Sequence, residues 1–125
     1  MDNASKKILI VEDDKFLAKM MSKAMEGEGY EVILASNGKE GLIKSSAGGI
    51  SLILLDLMLP DLDGFDLLQT IKSNEATKSI PVIIMSNLGQ AEDMAQAKKM
   101  GASDYLVKSD LALDEVVKKV KNYLI

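Results

Sequence analysis

The chain contains neither cysteine nor histidine. Without cysteine it has no disulfide framework and no thiolate metal site. Without histidine it lacks the commonest general base, the usual zinc ligands and any phosphohistidine of its own. The metal ligands that are left are oxygen atoms, and these favour a hard divalent cation.

Long apolar runs are also missing. The longest is interrupted by Asp56, and none approaches the roughly 20 residues of a membrane span. The run Ile8–Val11 is too short for the core of a signal peptide. A length of 125 residues fits one domain, and a charge of −4 without a basic face argues against direct nucleic-acid binding. We therefore predict a single cytoplasmic domain over residues 1–125, with its core at about 6–125 and no membrane insertion.

Short apolar runs alternate with amphipathic helical patterns along the chain. Runs that are apolar almost throughout are typical of a parallel sheet covered by helices on both faces. The alternation repeats five times and predicts an α/β fold. The predicted strands are Ile8–Val11, Tyr30–Ala35, Leu52–Leu55, Pro81–Met85 and Tyr105–Val107.

The predicted helices differ in strength. The last one, Leu113–Leu124, has acids early and lysines late, as the helix dipole favours. The second, Gly38–Ser46, and the fourth, Ala91–Met100, are weaker, and we expect the fourth to shift easily because alanine replaces large apolar anchors there. The apolar stripe predicted for the first helix consists of Leu17, Met20, Met21 and Ala24.

Asp56 is the most unusual residue of the chain because it lies within the apolar run Ile50–Pro60. A charge in such surroundings is costly unless it is paired, metal-bound or catalytic. The alternative is an aspartate at a strand end that points into solvent or caps the next turn. Which explanation holds depends on the partners that the fold supplies.

Polar side chains follow four of the five predicted strands. Because ligands bind beyond the carboxyl ends of parallel strands, we expect these side chains to surround one pocket. Three carboxylates and one ammonium leave a charge of −2 there, which Mg²⁺ would neutralise and for which Mn²⁺ could substitute. Such a site suits a phosphoryl group, with the strand-end aspartate as nucleophile. The residues are Glu12, Asp13, Asp56, Ser86 and Lys108.

Each of these residues also has a purely structural explanation. The acids Glu12–Asp14 would begin a helix, Ser86 would cap the turn before helix four, and Lys108 alone would be a surface lysine. Tyr105 is either part of the core or an aromatic ring that reports the state of the pocket. The structural explanations need four coincidences at one end of one sheet, so we favour the shared site.

The segment Asp61–Gly64 has the composition of a calcium loop but not its spacing. With Gly64 as the sixth position, such a loop needs an acid at Leu59 and a glutamate at Thr70. Neither is present. We therefore predict a turn and a helix cap.

Four segments carry a resemblance to a known family. Over essentially its full length the chain resembles the receiver domain of two-component response regulators, of the single-domain chemotaxis type. The resemblance implies a flavodoxin-like, doubly wound sheet of five parallel strands in the order 2-1-3-4-5, with five helices in three α/β/α layers. The segments are Ile8–Asp14, Leu54–Gly64, Pro81–Ser86 and Gly101–Lys108.

The resemblance also implies a phosphorylation site at Asp56. The phosphoryl group would come from a histidine kinase or a histidine phosphotransfer protein. Asp13 would bind Mg²⁺ directly together with Asp56, Glu12 would bind it through water, and the backbone carbonyl of Met58 would be a further protein ligand.

A switch is the second implication of the resemblance. Lys108 would pair with the phosphoryl oxygens, Ser86 would bond one of them, and Tyr105 would rotate inward. The output would then pass through the face formed by helix four, strand five and helix five, towards a downstream protein whose identity is unknown.

Four residues depart from the family pattern. Ser109 replaces the usual proline, which makes a trans peptide after the lysine plausible, and Asn87 replaces a small residue and would narrow access to Asp56. Met58 and Leu88 are apolar where relatives often carry polar groups. We predict that they disfavour an aligned water and prolong the life of the acyl phosphate.

Our leading functional hypothesis is a stand-alone receiver, monomeric or weakly dimeric, that is not an enzyme. One alternative is an Mg²⁺-dependent phosphohydrolase that forms an aspartyl phosphate, although such enzymes need a second acid where this chain has Met58. Another is a degenerate receiver that acts as an unphosphorylated scaffold, suggested by Asn87 and the missing proline.

Overall fold

Five strands and five helices alternate along the computed structural model, which describes residues 6–124. A short 3₁₀ turn, Lys108–Asp110, precedes the last helix. The elements are β1 (Lys7–Val11), α1 (Lys15–Glu26), β2 (Glu31–Ala35), α2 (Gly38–Ser46), β3 (Leu52–Asp56), α3 (Gly64–Ser73), β4 (Val82–Ser86), α4 (Ala91–Lys99), β5 (Asp104–Val107) and α5 (Leu113–Tyr123).

All five strands are parallel and lie in the order β2-β1-β3-β4-β5. The strand order therefore reverses between β1 and β3, and a crevice opens beyond the carboxyl ends of the strands at such a point. The predicted flavodoxin-like fold and strand order are confirmed.

Helices cover both faces of the sheet. Because successive residues of a strand point to opposite faces, β1 contributes Ile10 to one apolar cluster and Leu9 to the other. Helices α1 and α5 pack on the first face, and α3 and α4 pack on the second. The predicted three layers are confirmed.

The stripe predicted for α1 is wrong at one position. The helix buries Ala18, Met21 and Met25, whereas Met20 is 37% exposed. At about 100° per residue, Met20 lies roughly 200° around the helix from Ala18 and faces away from the sheet. Sequence spacing alone does not say which of two adjacent methionines points inward.

Helix α4 is weakly anchored, as predicted. Its only buried residue is Ala97, and its N-cap residue, Gln90, makes no side-chain capping hydrogen bond. Burying so little apolar surface stabilises a helix only slightly. No helix within residues 6–124 combines the length and the apolar character needed to cross a bilayer.

Strand β2 forms one edge of the sheet. The carbonyl of Ala35 accepts the backbone N–H of Glu12 at 3.0 Å, so the preceding carbonyl, that of Leu34, points outward. Lys44 of α2 donates to this carbonyl oxygen through Nζ at 2.6 Å. A side chain therefore occupies a hydrogen-bonding position at the sheet edge.

Candidate functional site

The carboxyl ends of the strands bring together the side chains that the sequence singled out. Asp56 ends β3, Glu12 follows β1, and Lys108 follows β5. Lys108 Nζ lies 2.8 Å from Asp56 Oδ2 and 2.6 Å from Glu12 Oε1. Both carboxylates are almost completely buried. The explanation of Lys108 as an ordinary surface lysine is therefore wrong.

Three carboxylates form a compact group beside this lysine. Glu12, Asp13 and Asp56 each offer one oxygen, and the three oxygens lie within 4.8 Å of one another. Asp13 is exposed, whereas the other two are buried. Oxygen ligands with an open side suit Mg²⁺, which keeps several of its waters.

Glu12 provides an independent sign that the group is incompletely satisfied. Its Oε2 accepts the backbone N–H of Asp14 at 3.0 Å. Its Oε1 is buried and forms the ion pair with Lys108, but no donor meets it in hydrogen-bond geometry. A buried oxygen that lacks a well-aligned donor has room to accept a hydrogen bond from a water bound to a cation. The donor set therefore fits a hard divalent ion.

The electrostatics of the site follow from burial and pairing. Burial raises the pKa of Glu12 above 4.5, against the lowering effect of Lys108 and the Asp14 N–H, and the charge of Asp56 raises it further. Burial alone would lower the pKa of Lys108, but Asp56 and Glu12 outweigh this effect and hold the pKa above 10.5. The lysine is therefore a permanent cation within an acidic group.

Asp56 is held by both of its carboxylate oxygens. Its Oδ1 accepts the backbone N–H of Met58 at 3.0 Å, and its Oδ2 accepts Lys108 Nζ at 2.8 Å. The aspartate is 2% exposed, and the Met58 side chain beside it is 57% exposed. These contacts fix the carboxylate while its remaining lone pairs stay available. The role of the Met58 carbonyl as a metal ligand stays a prediction.

The loop between β3 and α3 depends on a close backbone approach. Gly64 donates its N–H to the carbonyl of Leu57 at 3.0 Å, and a Cβ atom at Gly64 would lie 2.3 Å from Leu57 Cα. Asp63 caps α3 by accepting the backbone N–H of Phe65 at 2.8 Å. The predicted turn and helix cap are confirmed.

Asp61 in the same loop has a role that sequence reasoning missed. Its Oδ1 accepts the N–H of Gly38 at 2.7 Å, and its Oδ2 accepts the N–H of Lys39 at 3.0 Å. These hydrogen bonds, with that from Gly38 foremost, lower the pKa of Asp61. The carboxylate therefore ties the loop that follows Asp56 to the first turn of α2.

Ser86 and Tyr105 meet at the loop between β4 and α4. Asp56 pairs in register with Met85, so Ser86 is one residue further along the neighbouring strand. Its buried Oγ accepts the N–H of Leu88 at 3.1 Å and so caps the turn before α4. The Tyr105 hydroxyl donates to the carbonyl of Leu88, and burial raises the pKa of this tyrosine. The two predicted switch residues therefore hold the same loop residue.

The three acids Glu12–Asp14 have two different structural roles. Asp14 is the N-cap of α1 and accepts the backbone N–H groups of Phe16 and Leu17. Glu12 and Asp13 instead join the carboxylate group at the sheet. The structural explanation therefore holds for one of the three acids.

The departures from the family pattern lie around the mouth of the site. Asn87 is exposed, and Ser109 lies in the 3₁₀ turn, where Leu111 donates its N–H to the carbonyl of Lys108 at 3.2 Å. Residues 6–124 contain no cis peptide bond, so the one between Lys108 and Ser109 is trans. The effect of Asn87 on access to Asp56 stays a prediction.

The arrangement of fold and site corresponds to a known class of signalling domain. The chain matches the family model of the response regulator receiver domain over residues 8–121. It belongs to this family and is thus a receiver domain of two-component response regulators.

Curated relatives agree with this assignment. The transcriptional regulatory protein CusR of Escherichia coli (strain K12) is 37% identical over 118 residues, covering 94% of this chain and 51% of CusR. The DNA-binding dual master transcriptional regulator RpaA of Synechocystis sp. is also 37% identical, with 94% of this chain and 48% of RpaA covered. The chain thus spans about half the length of the curated relatives it matches.

Solved structures resemble the chain over nearly its whole length. The receiver domain of the Francisella response regulator 1452 superposes with a TM-score of 0.88 at 32% identity, covering 94% of this chain and 95% of that one. A CheY-like receiver domain protein from Methanospirillum hungatei JF-1 gives a TM-score of 0.88 at 30% identity, with 95% and 93% covered.

Proposed function

We propose that the chain is a phosphoacceptor that takes a phosphoryl group on Asp56 from a histidine kinase or a histidine phosphotransfer protein. The observation that carries this proposal is the pairing of a buried strand-end carboxylate with Lys108 at 2.8 Å, next to two further acids. A structural aspartate has no need of this arrangement, whereas a transferred phosphoryl group needs positive charge on its oxygens.

The phosphoryl transfer needs one proton on the donor's ring and no other reactant. A carboxylate oxygen of Asp56 attacks phosphorus while the bond between phosphorus and the donor's imidazole nitrogen breaks. The electron pair of that bond stays on the nitrogen, and because the other ring nitrogen carries a proton, the donor leaves as neutral imidazole. Lys108 stays protonated throughout and pairs with the phosphoryl oxygens. Asp13, Asp56, Glu12 through water and the Met58 carbonyl would hold Mg²⁺, or Mn²⁺ in its place, and the ion would supply the positive charge that screens the carboxylate from the phosphoryl anion.

Phosphorylation then acts as a switch. The phosphoryl group favours the arrangement in which it gains contacts with the Ser86 hydroxyl and with Lys108. Ser86 and Tyr105 both hold Leu88, so a change at either one reaches the loop that leads into α4. The face formed by α4, β5 and α5 is the proposed output, and weakly anchored α4 suits a movement of this kind.

We propose a cytoplasmic signalling protein and not an enzyme with turnover. A phosphohydrolase would need a second acid two residues beyond Asp56 to protonate the leaving group, and that position is Met58. We further propose a stand-alone module, monomeric or weakly dimeric, whose output is a protein contact and not direct binding to nucleic acid.

The experiment that tests the proposal uses acetyl phosphate as donor and beryllofluoride as mimic, each with Mg²⁺. We expect one phosphoryl group per chain by mass spectrometry, absent from Asp56→Asn, and beryllofluoride shifts in the amide spectrum that the same variant loses. Asp66→Asn is the matched control, since Asp66 is exposed on α3. Modification that persists in Asp56→Asn would refute the site, and an unmodified wild-type chain would favour the degenerate scaffold.

A further inference from the structure

A cavity of about 340 Å³ lies between the first turns of α1 and the end of β2. Its size falls within the range of small-molecule sites. It is distinct from the phosphoacceptor, which belongs to β3, but it shares one wall residue with the carboxylate group, namely Glu12. The lining consists of Glu12, Lys15, Ala18, Lys19, Leu34, Ala35 and Ser36.

The walls of this cavity are mainly apolar. Ala18 and Ala35 are buried, whereas Leu34 is 39% exposed. Ser36 offers no free hydroxyl proton, because both its N–H and its Oγ donate to Glu40. An occupant therefore needs an apolar body to cover the leucine and the two alanines.

Two cations stand at the rim. Lys15 and Lys19 are exposed, lie one turn apart on α1 and form no ion pair within the described residues 6–124. The acid in the lining, Glu12, is already paired with Lys108. Among the lining residues the unpaired charge is therefore positive, and an anionic group on the occupant would pair with both lysines.

We infer that this cavity binds a small amphiphilic organic anion, with an aromatic or branched aliphatic body against Leu34 and a carboxylate or sulfonate between Lys15 and Lys19. We further infer that the occupant is coupled to the metal site through the shared wall. A bound anion makes the neighbourhood of the carboxylate group more negative, so it tightens Mg²⁺ binding, and Mg²⁺ tightens anion binding by the same factor. This coupling rests on the magnesium binding proposed above.

The probe for the test is anilinonaphthalene sulfonate, an aromatic anion that fluoresces in apolar surroundings. In EDTA we expect saturable binding with one site per chain and amide shifts at Ala18, Leu34 and Ser36. The variant Lys15→Gln/Lys19→Gln should bind about tenfold more weakly, because it loses the charge-assisted contacts. Lys98→Gln/Lys99→Gln on α4 is the matched control and should bind as the wild type does.

Filling the cavity tests the apolar part of the inference. Ala18→Leu places additional carbon atoms inside it, and Leu34→Phe, at a half-exposed position, narrows the mouth and serves if Ala18→Leu fails to fold. Both should weaken probe binding about tenfold. The inference would be overturned if the cavity-filling variants and Lys15→Gln/Lys19→Gln bound the probe as tightly as the wild type. Probe binding that does not saturate, or amide shifts confined to other surfaces, would also overturn it.

The coupling has its own readout. Added Mg²⁺ should tighten probe binding about threefold, and the metal affinity itself is followed through the amide of Asp13. A chain that binds Mg²⁺ and the probe independently would overturn the coupling. A chain that binds the probe but no Mg²⁺ would overturn the proposed metal site and, with it, the coupling, while the cavity is tested separately in EDTA.

Discussion

The hydroxyl of Tyr105 donates a hydrogen bond to the backbone carbonyl of Leu88. The tyrosine lies on β5 and the leucine on the loop that leads into α4, so one side chain joins two parts of the proposed output face. Ser86 holds the N–H of the same leucine. The position of this loop therefore depends on two hydroxyl groups, and that of Ser86 belongs to β4, the strand that pairs with the strand of Asp56.

Removing the tyrosine hydroxyl should loosen this loop. In Tyr105→Phe the carbonyl of Leu88 loses its donor, and we expect a loss of about 1 kcal/mol in the free energy of unfolding. Amide hydrogen exchange at Leu88 and Gly89 should accelerate more than exchange in β1. Tyr123→Phe removes a hydroxyl that donates to the carbonyl of Ser103 and serves as the control. If hydrogen exchange in Tyr105→Phe accelerated equally throughout the chain, the tyrosine hydroxyl would not stabilise this loop specifically.

The apolar residues at the mouth of the site should lengthen the life of the acyl phosphate. In Met58→Asn/Leu88→Glu, polar groups can align a water, and we expect loss of phosphate about tenfold faster, the effect of one hydrogen bond worth about 1.4 kcal/mol in the transition state. The measurement follows phosphate release from the chain phosphorylated with acetyl phosphate.

A control variant tests whether the faster loss of phosphate depends on where the polar residues are introduced. Met20→Asn/Ile43→Glu makes the same kinds of change at two exposed positions on α1 and α2. It should release phosphate at the wild-type rate. A lifetime unchanged in the Met58 and Leu88 variant, or shortened equally in both, would show that these two side chains do not tune it.

The buried acid Glu12 should reduce stability at neutral pH when no metal is bound. Its pKa is raised in the folded protein, so the folded protein binds this proton more readily than the unfolded chain does. The cost disappears as the pH falls through the raised pKa towards the ordinary value of 4.5. We therefore expect Glu12→Gln to be more stable than the wild type in EDTA near neutral pH, with the difference shrinking on acidification.

Thermal unfolding measures this difference. Mg²⁺ should raise the Tm of the wild type more than that of Glu12→Gln, because the ion relieves the same repulsion that the substitution removes. Glu26→Gln, at the end of α1 and outside the carboxylate group, is the control. A difference in Tm between Glu12→Gln and the wild type that does not change with pH would contradict the role assigned to Glu12. A higher Tm for the wild type than for Glu12→Gln in EDTA would contradict it as well.

Asp61 should keep the loop after Asp56 in place. Asp61→Ala leaves the N–H groups of Gly38 and Lys39 without their acceptor, and we expect a lower Tm and weaker Mg²⁺ binding, since the loop also carries Met58. Asp61→Asn keeps one carbonyl acceptor and should recover part of both losses. Titration of Mg²⁺ by amide shifts gives the affinity, and Asp66→Ala should leave it unchanged.

The strands and the site could be predicted because both depend on local patterns. Apolar runs mark strands that are buried on both faces, and a polar residue directly after such a run must lie at the carboxyl edge. Asp56 and Lys108 were found in this way. The order of the strands has no local signal, and it came from the resemblance of four segments to a known family.

Other contacts had no signal that could have revealed them. The Asp61 carboxylate accepts the backbone N–H of Gly38, 23 residues away, and any residue except proline could have supplied that N–H. The acceptor for Tyr105 is likewise a backbone carbonyl. Met20 was placed wrongly because the rotation of a helix about its axis is set by packing against the sheet, which the periodic pattern leaves free within about one residue.

The lysine at the outer margin of β2 has a consequence for how copies of this protein meet. Lys44 donates a hydrogen bond to the carbonyl of Leu34, which would otherwise be free to accept the backbone N–H of an added strand. Recruitment by β-augmentation at this position would first have to displace a charged side chain. At this carbonyl, the edge of the sheet is therefore disfavoured as a template for pairing with a second copy of the chain.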